Sequence, residues 1–158
     1  MELTFAVLIM GVGATCTVDV WAVVRQLLLG VPRPNYGHLG RWLGHMTRGQ
    51  FLHKSIAAAA QYPGEAAIGW IAHYLIGITF AALLLAVTGP GWLALPTIGP
   101  ALLFGIGTVL APFLLMQPGM GAGIAAARTP RPAFARLQRV LTHTVFGLGL
   151  YASAWLTH

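Results

Sequence analysis

The sequence predicts an all-α fold: an integral-membrane four-helix bundle with short interfacial helices on its cytoplasmic side. Three observations point there. Of 158 residues, 57% are hydrophobic and 8% charged, with a mean hydropathy of +0.75, whereas soluble domains carry about a quarter charged residues. Four apolar runs stand out, at about 3–29, 66–88, 98–117 and 137–157. At 1.5 Å per residue each is long enough to cross about 30 Å of hydrocarbon. All nine Lys and Arg residues lie in or beside two segments, 30–64 and 118–136. The positive-inside rule makes that side cytoplasmic and puts both termini outside. The length fits a single membrane domain, 1–158.

The same charge pattern sets the balance of +6 against only three acids, Glu2, Asp19 and Glu65. Basic residues grouped between apolar runs read as topology signals, so no nucleic-acid partner is expected. The lone Cys16 excludes an intrachain disulfide and reads as a small residue within an apolar run. Met1-Glu2 offers no positive n-region, so the first run reads as a retained helix rather than a secretory signal.

In the first run Gly11, Thr15 and Asp19 recur every four residues and share a helix face. Small residues on such a face let helices approach closely. Asp19 reads either as a structural hydrogen-bond acceptor or as a functional acid, since intramembrane acids mark ion and proton pathways. After Pro32-Arg33-Pro34-Asn35 breaks the helix, Tyr36 to His45 alternates aromatic or Leu residues with Arg, His and Gly. Leu39, Trp42, Leu43 and Met46 are expected against the membrane surface, with Arg41 and Arg48 on lipid phosphates. The Ala-rich stretch Phe51 to Gln61 is helix-prone. His38, His45 and His53, spaced by seven and eight, read as surface histidines of an amphipathic segment in preference to metal ligands.

In the second run Glu65, Gly69, His73, Gly77 and Ala81 form one stripe. Two titratable groups on a face of small residues cannot face lipid cheaply. Gly89-Pro90-Gly91-Trp92 ends this span at the outer interface. In the third run Pro112 should kink the helix and free the carbonyl near residue 108. Met116 to Gly123 is glycine-rich but lacks the Lys-Ser/Thr ending of a phosphate loop, and reads as a flexible or re-entrant turn at the membrane face. The fourth run opens with Arg136 and Arg139, and His143, Gly147 and Tyr151 share a face.

Counted from the cytoplasmic ends, Asp19, Glu65, His73, Gln117 and His143 all fall in the inner half of the membrane. A polar cavity open to the cytoplasm is expected there, rimmed by Arg25, Arg41, Arg136 and Arg139. Residues 32–45 and 130–143 also match at seven of fourteen positions, which suggests a parallel internal repeat.

Three functions remain open. The acids and imidazoles suit a small proton- or cation-linked transporter or permease. Two His with an acid suit a metal-dependent enzyme, though no closely spaced ligand pair designates a metal. The polar groups also suit a structural or accessory subunit that they knit together. No cofactor is designated. The expected partners are the lipid bilayer, a small-molecule or ion substrate, and a second copy of the chain in a homodimer.

Several motifs carry a resemblance. They are Gly40-Arg-Trp-Leu-Gly-His-Met46, Pro63 to Tyr74, Ala111 to Gly121, Arg128-Thr-Pro130 and His143 to Tyr151. Together they are similar to a bacterial family of small multi-pass membrane proteins catalogued as a domain of unknown function (of the 2938 type). The resemblance spans nearly the whole chain. It implies a bacterial inner-membrane protein and brings no activity or catalytic residue with it.

Overall fold

The computed structural model describes residues 2–157, which form five α-helices and no strand. Helix α1 runs Leu3–Leu29 and ends where Gly30 turns left-handed, its N–H capping Gln26 O. Helix α2, Tyr36–Met46, starts where the Asn35 side chain accepts from Gly37 N at 3.0 Å. Helix α3 spans Glu65–Thr88. Helix α4, Ile98–Gly119, follows a short 3₁₀ turn, Pro90–Ala94. Helix α5 spans Pro132–Ala154.

Helices α1, α3 and α4 are long and apolar enough to cross a membrane. Helix α5 has comparable length, but its first half carries Arg136, Gln138, Arg139, Thr142 and His143. Much of the outer surface is apolar: Val20, Leu27, Val87 and Leu103 are each at least 63% exposed. So large an apolar exterior suits lipid rather than water.

Helix α4 is interrupted. It is regular to Gly107, turns at Thr108, and widens into a π segment at Pro112–Met116. The cause is Pro112, which has no N–H to offer the preceding turn. The chain recovers with an i to i+5 bond, Gln117 N to Pro112 O.

The chain divides into two compact units. The first comprises Met1–Pro34, Tyr74–Thr108 and Val140–His158, and the second Asn35–His73 and Val109–Arg139. The core of the first unit draws on four helices: Met10, Ala14 and Val18 from α1, Ala81, Leu84 and Leu85 from α3, Ala101 from α4, and Phe146, Leu150 and Ala154 from α5. Glycines set its closest approaches. A Cβ on Gly11 would strike the Ile78 backbone, one on Gly77 the Thr15 hydroxyl, and one on Gly105 the Gly147 backbone.

The second unit is built on a guanidinium. Arg41 on α2 is buried, its Nε and Nη2 holding both oxygens of Glu65 at 2.8 and 2.7 Å. Its Nη1 donates to the carbonyls of Ile56, Ala57 and Ala59 at 3.0–3.2 Å. Two expectations are corrected here. Arg41 does not rim a cavity or meet lipid phosphate, and the Ala-rich stretch 51–61 is not helical but irregular, with one turn at Ile56–Ala58. The carbonyls that a helix would have used internally are satisfied by Arg41 instead, so tertiary bonding overrides alanine's helix propensity. The third unmet expectation is Leu39, which is buried rather than set on the membrane surface.

Three outcomes follow. Gly11→Val overpacks the α1–α3 contact and should destabilise the folded protein by about 1–3 kcal/mol, read as a lower melting temperature in detergent. Gly107 has open space around its Cβ position, so Gly107→Ala should be neutral or stabilising by up to about 1 kcal/mol; equal losses in both variants would contradict the packing account. Arg41→Lys keeps the charge but loses the fork. Proteolytic cutting within 51–61 should then rise roughly tenfold, and an unchanged cutting rate would show that the guanidinium does not hold this segment.

Candidate functional site

Within the first unit, the stripes on α1 and α3 meet in antiparallel register. Gly11 lies against Ile78, Thr15 against Gly77, and Asp19 against Tyr74. The Tyr74 hydroxyl donates to Asp19 Oδ2 at 2.9 Å. With its one hydrogen so used, the phenolic oxygen is left to accept from the Cys16 thiol, 3.5 Å away. Cys16, Tyr74 and Asp19 thus form a short donor chain ending on a carboxylate. A tyrosine partner satisfies an acid that would otherwise be costly at this depth.

A second polar contact lies where α4 is broken. The Thr108 hydroxyl donates to Gly105 O at 2.5 Å, because a carbonyl only accepts. His143 Nδ1 lies 2.8 Å from the same hydroxyl oxygen. The hydroxyl hydrogen is already used, so the imidazole hydrogen belongs on Nδ1. Where Pro112 was expected to kink the helix, α4 is interrupted, and a threonine and a histidine are bonded at the edge of that interruption.

Glycine contacts fix the relative level of these two groups. On α5, Gly149 packs against Ala14 and Thr17 of α1, and Ser153 against Gly13. Continuing that antiparallel register sets Asp19 opposite about residue 147. His143 then lies about one turn, 6 Å, further along α5. The carboxylate and the imidazole occupy neighbouring levels of the first unit, with apolar core on the other side of them at Met10, Leu84 and Ala154.

Glu65, His73 and Gln117 belong to the second unit. Both Glu65 oxygens are taken by Arg41, and Oε2 also accepts from Tyr62 N at 2.9 Å. Hydrogen bonding to this carboxylate raises the Arg41 pKa above its ordinary value, against a smaller opposing effect of burial. Glu65 is thus a structural anchor. His73 stacks on the Tyr36 ring at 4.0 Å and meets Trp70 edge-on. Gln117 is buried, and its Oε1 has no hydrogen-bond partner. In the stripe one step before His73, Gly69 packs on the Tyr36 carbonyl and Gly40 on Glu65 O, so α2 and α3 touch through glycine as well.

Of the expected rim residues, Arg25 is buried at 6% exposure, which removes it from a solvent rim. Arg136 Nε donates to Ala125 O at 2.7 Å, and Arg139 is half-buried. Among the described residues no three His, Cys, Asp or Glu side chains lie close enough together to hold a metal ion.

Sequence reasoning passed over Tyr74 and Thr108. Tyr74 carried a readable signal: Tyr74, Gly77, Ile78 and Ala81 follow the i, i+3, i+4, i+7 pattern of the face that meets α1. The four-residue stripe shares Gly77 and Ala81 with that face and leaves it at His73. His45 and His53, read as surface histidines, are instead in direct contact, with Nδ1 and Nε2 2.9 Å apart and His45 buried.

No curated protein and no solved structure matches the chain. A family model does match, over residues 8–157, which is nearly its full length. The chain belongs to the family described as "Protein of unknown function (DUF2938)".

Proposed function

We propose that the protein is a multi-pass protein of the bacterial inner membrane that moves protons, coupled to a small cation, through the helices of its first unit. In this reading α1, α3, α4 and α5 are four spans, both termini lie outside, and segments 30–64 and 118–136 are cytoplasmic. Seven of the nine Lys and Arg residues fall in the second unit, where Glu65 is the only acid. Such a bias is what holds segments on the cytoplasmic side. The apolar second half of α5, which gives Phe146, Leu150 and Ala154 to the core, supports its part as the fourth span.

One feature carries the transport reading: by the register of α5 on α1, a carboxylate held by a tyrosine hydroxyl sits at a level about one turn from that of an imidazole bonded where α4 is interrupted. Ionisable groups inside a membrane body mark ion and proton routes. Broken helices are where transporters build their ion sites, and π segments recur at functional positions. Asp19 and His143 are the proton-carrying residues of this reading, with Tyr74 and Thr108 as their positioning partners. Glu65 takes no part, and His73 and Gln117 enter only as polar residues of the second unit. A structural or accessory role is the second reading. The Arg41–Glu65 pair favours it, because every bond these two side chains make here ties the chain to itself.

Liposomes containing the protein and an internal pH-reporting dye provide the test, with sodium, potassium or magnesium ions added outside. At least one cation should drive proton movement above that of empty liposomes. Asp19→Asn should slow it roughly tenfold or more, with the variant still folded by melting temperature. Fluxes equal to empty liposomes with all three cations, or an Asp19→Asn protein as fast as the native one, would refute the transport reading.

A further inference from the structure

The histidine pair of the second unit carries a chemistry that the transport reading does not use. His45 is on α2 and His53 in the 51–61 segment. Beyond their 2.9 Å contact, His45 Nε2 lies 3.0 Å from Ala60 O, and His53 Nδ1 lies 3.3 Å from Gly119 O. The order is carbonyl, imidazole, imidazole, carbonyl.

A carbonyl oxygen accepts and cannot donate. Both outer nitrogens must therefore carry hydrogen for the outer contacts to be hydrogen bonds. The inner contact needs one hydrogen between two nitrogens. That makes three protons on two rings, one more than a neutral pair holds. Two neutral rings would leave one outer nitrogen bare against a carbonyl oxygen. Two imidazolium rings would set N–H against N–H across the short contact. Only the singly charged pair satisfies all three contacts at once.

We infer that His45 and His53 form one proton-binding site, whose single imidazolium charge is shared across the His45 Nδ1···His53 Nε2 bond and fastens the 51–61 segment to the end of α4. Gly119 is the last residue of α4, so its carbonyl stands at the negative end of a helix, where a cation is favoured. Residues 116–122 bring no titratable side chain to the pair. From α2 comes Arg41, whose charge is matched by Glu65. Arg48, just past α2, lies 5.1 Å over the Tyr62 ring, and that ring is 6.2 Å from His45. Lys54 follows His53 and is exposed. Arg48 and Lys54 oppose the bound proton, while the two carbonyls and the helix end favour it.

Imidazole is the side chain whose charge changes across the physiological pH range. Losing the shared proton breaks one outer bond and loosens the segment. Two backbone bonds beside it report this: His53 N to Gly119 O at 2.9 Å and Ile56 N to Met120 O at 3.0 Å.

The test uses the full chain in lipid nanodiscs with ¹⁵N-labelled histidine. At about pH 6 the pair should show three protonated nitrogen positions and an N–N coupling across the shared bond. At about pH 8.5 one position should become unprotonated. Amide exchange at residues 53–56 should then quicken roughly tenfold beyond the intrinsic effect of pH. His53→Gln should abolish both the coupling and that pH dependence. Two protons on the pair throughout this range, or segment exchange that ignores the loss of the proton, would overturn the inference. The native-protein spectra decide the matter even if His53→Gln fails to fold.

Discussion

The first unit depends on helices approaching closely where side chains are missing. Inside a bilayer no hydrophobic force draws one oily helix to another, so contact comes from packing and a few polar bonds. Gly11 and Gly77 on the α1–α3 face, and Gly105 and Gly147 on the α4–α5 face, leave room for a neighbouring backbone or hydroxyl. With helices this close, Tyr74 reaches Asp19 and His143 reaches Thr108. The polar contacts are a consequence of the glycines, and their level along the helices is set by the register those glycines enforce.

The second unit solves a different problem. Its 51–61 segment has no helix to satisfy its carbonyls, and unsatisfied backbone groups are costly away from water. Arg41 serves three of these carbonyls and His45 lies beside a fourth, at Ala60. The backbone N–H groups of His53 and Ile56 find the carbonyls at the end of α4. A guanidinium suits the task because its planar fork can hold a carboxylate on one edge and carbonyls on another. Buried in this way, a positive charge counts as part of the fold rather than as a contact for lipid.

Much of this was legible in the sequence, and the reasons differ by element. The all-helical class and the runs behind α1, α3 and α4 follow from composition and run length. The Gly11–Thr15–Asp19 stripe was readable because a helical period leaves a trace in any one segment. The corresponding face of α3 was read through His73 instead of Tyr74, because four-residue spacing drifts from the true 3.6-residue turn. The interruption of α4 at Pro112 was visible because proline acts locally. The irregular path of 51–61 was not, since alanine's preference is weak and the competing acceptors' partner lies 15 to 18 residues away on α2. The burial of Arg41 was hidden for the same reason: partners distant in sequence leave no periodic signal.

Cys16 is the one cysteine in the chain, and its sulfur lies 3.5 Å from the Tyr74 hydroxyl. It therefore reports directly on whether the carboxylate level is wet, which any proton or cation route requires. The decisive measurement is labelling of Cys16 in intact membranes with a small, charged thiosulfonate reagent and, separately, with a lipid-soluble maleimide. If the acid and tyrosine line a hydrated route, the charged reagent reaches the thiol and prior addition of a coupling cation slows it. A thiol open only to the lipid-soluble maleimide would mean a dry contact that serves packing alone.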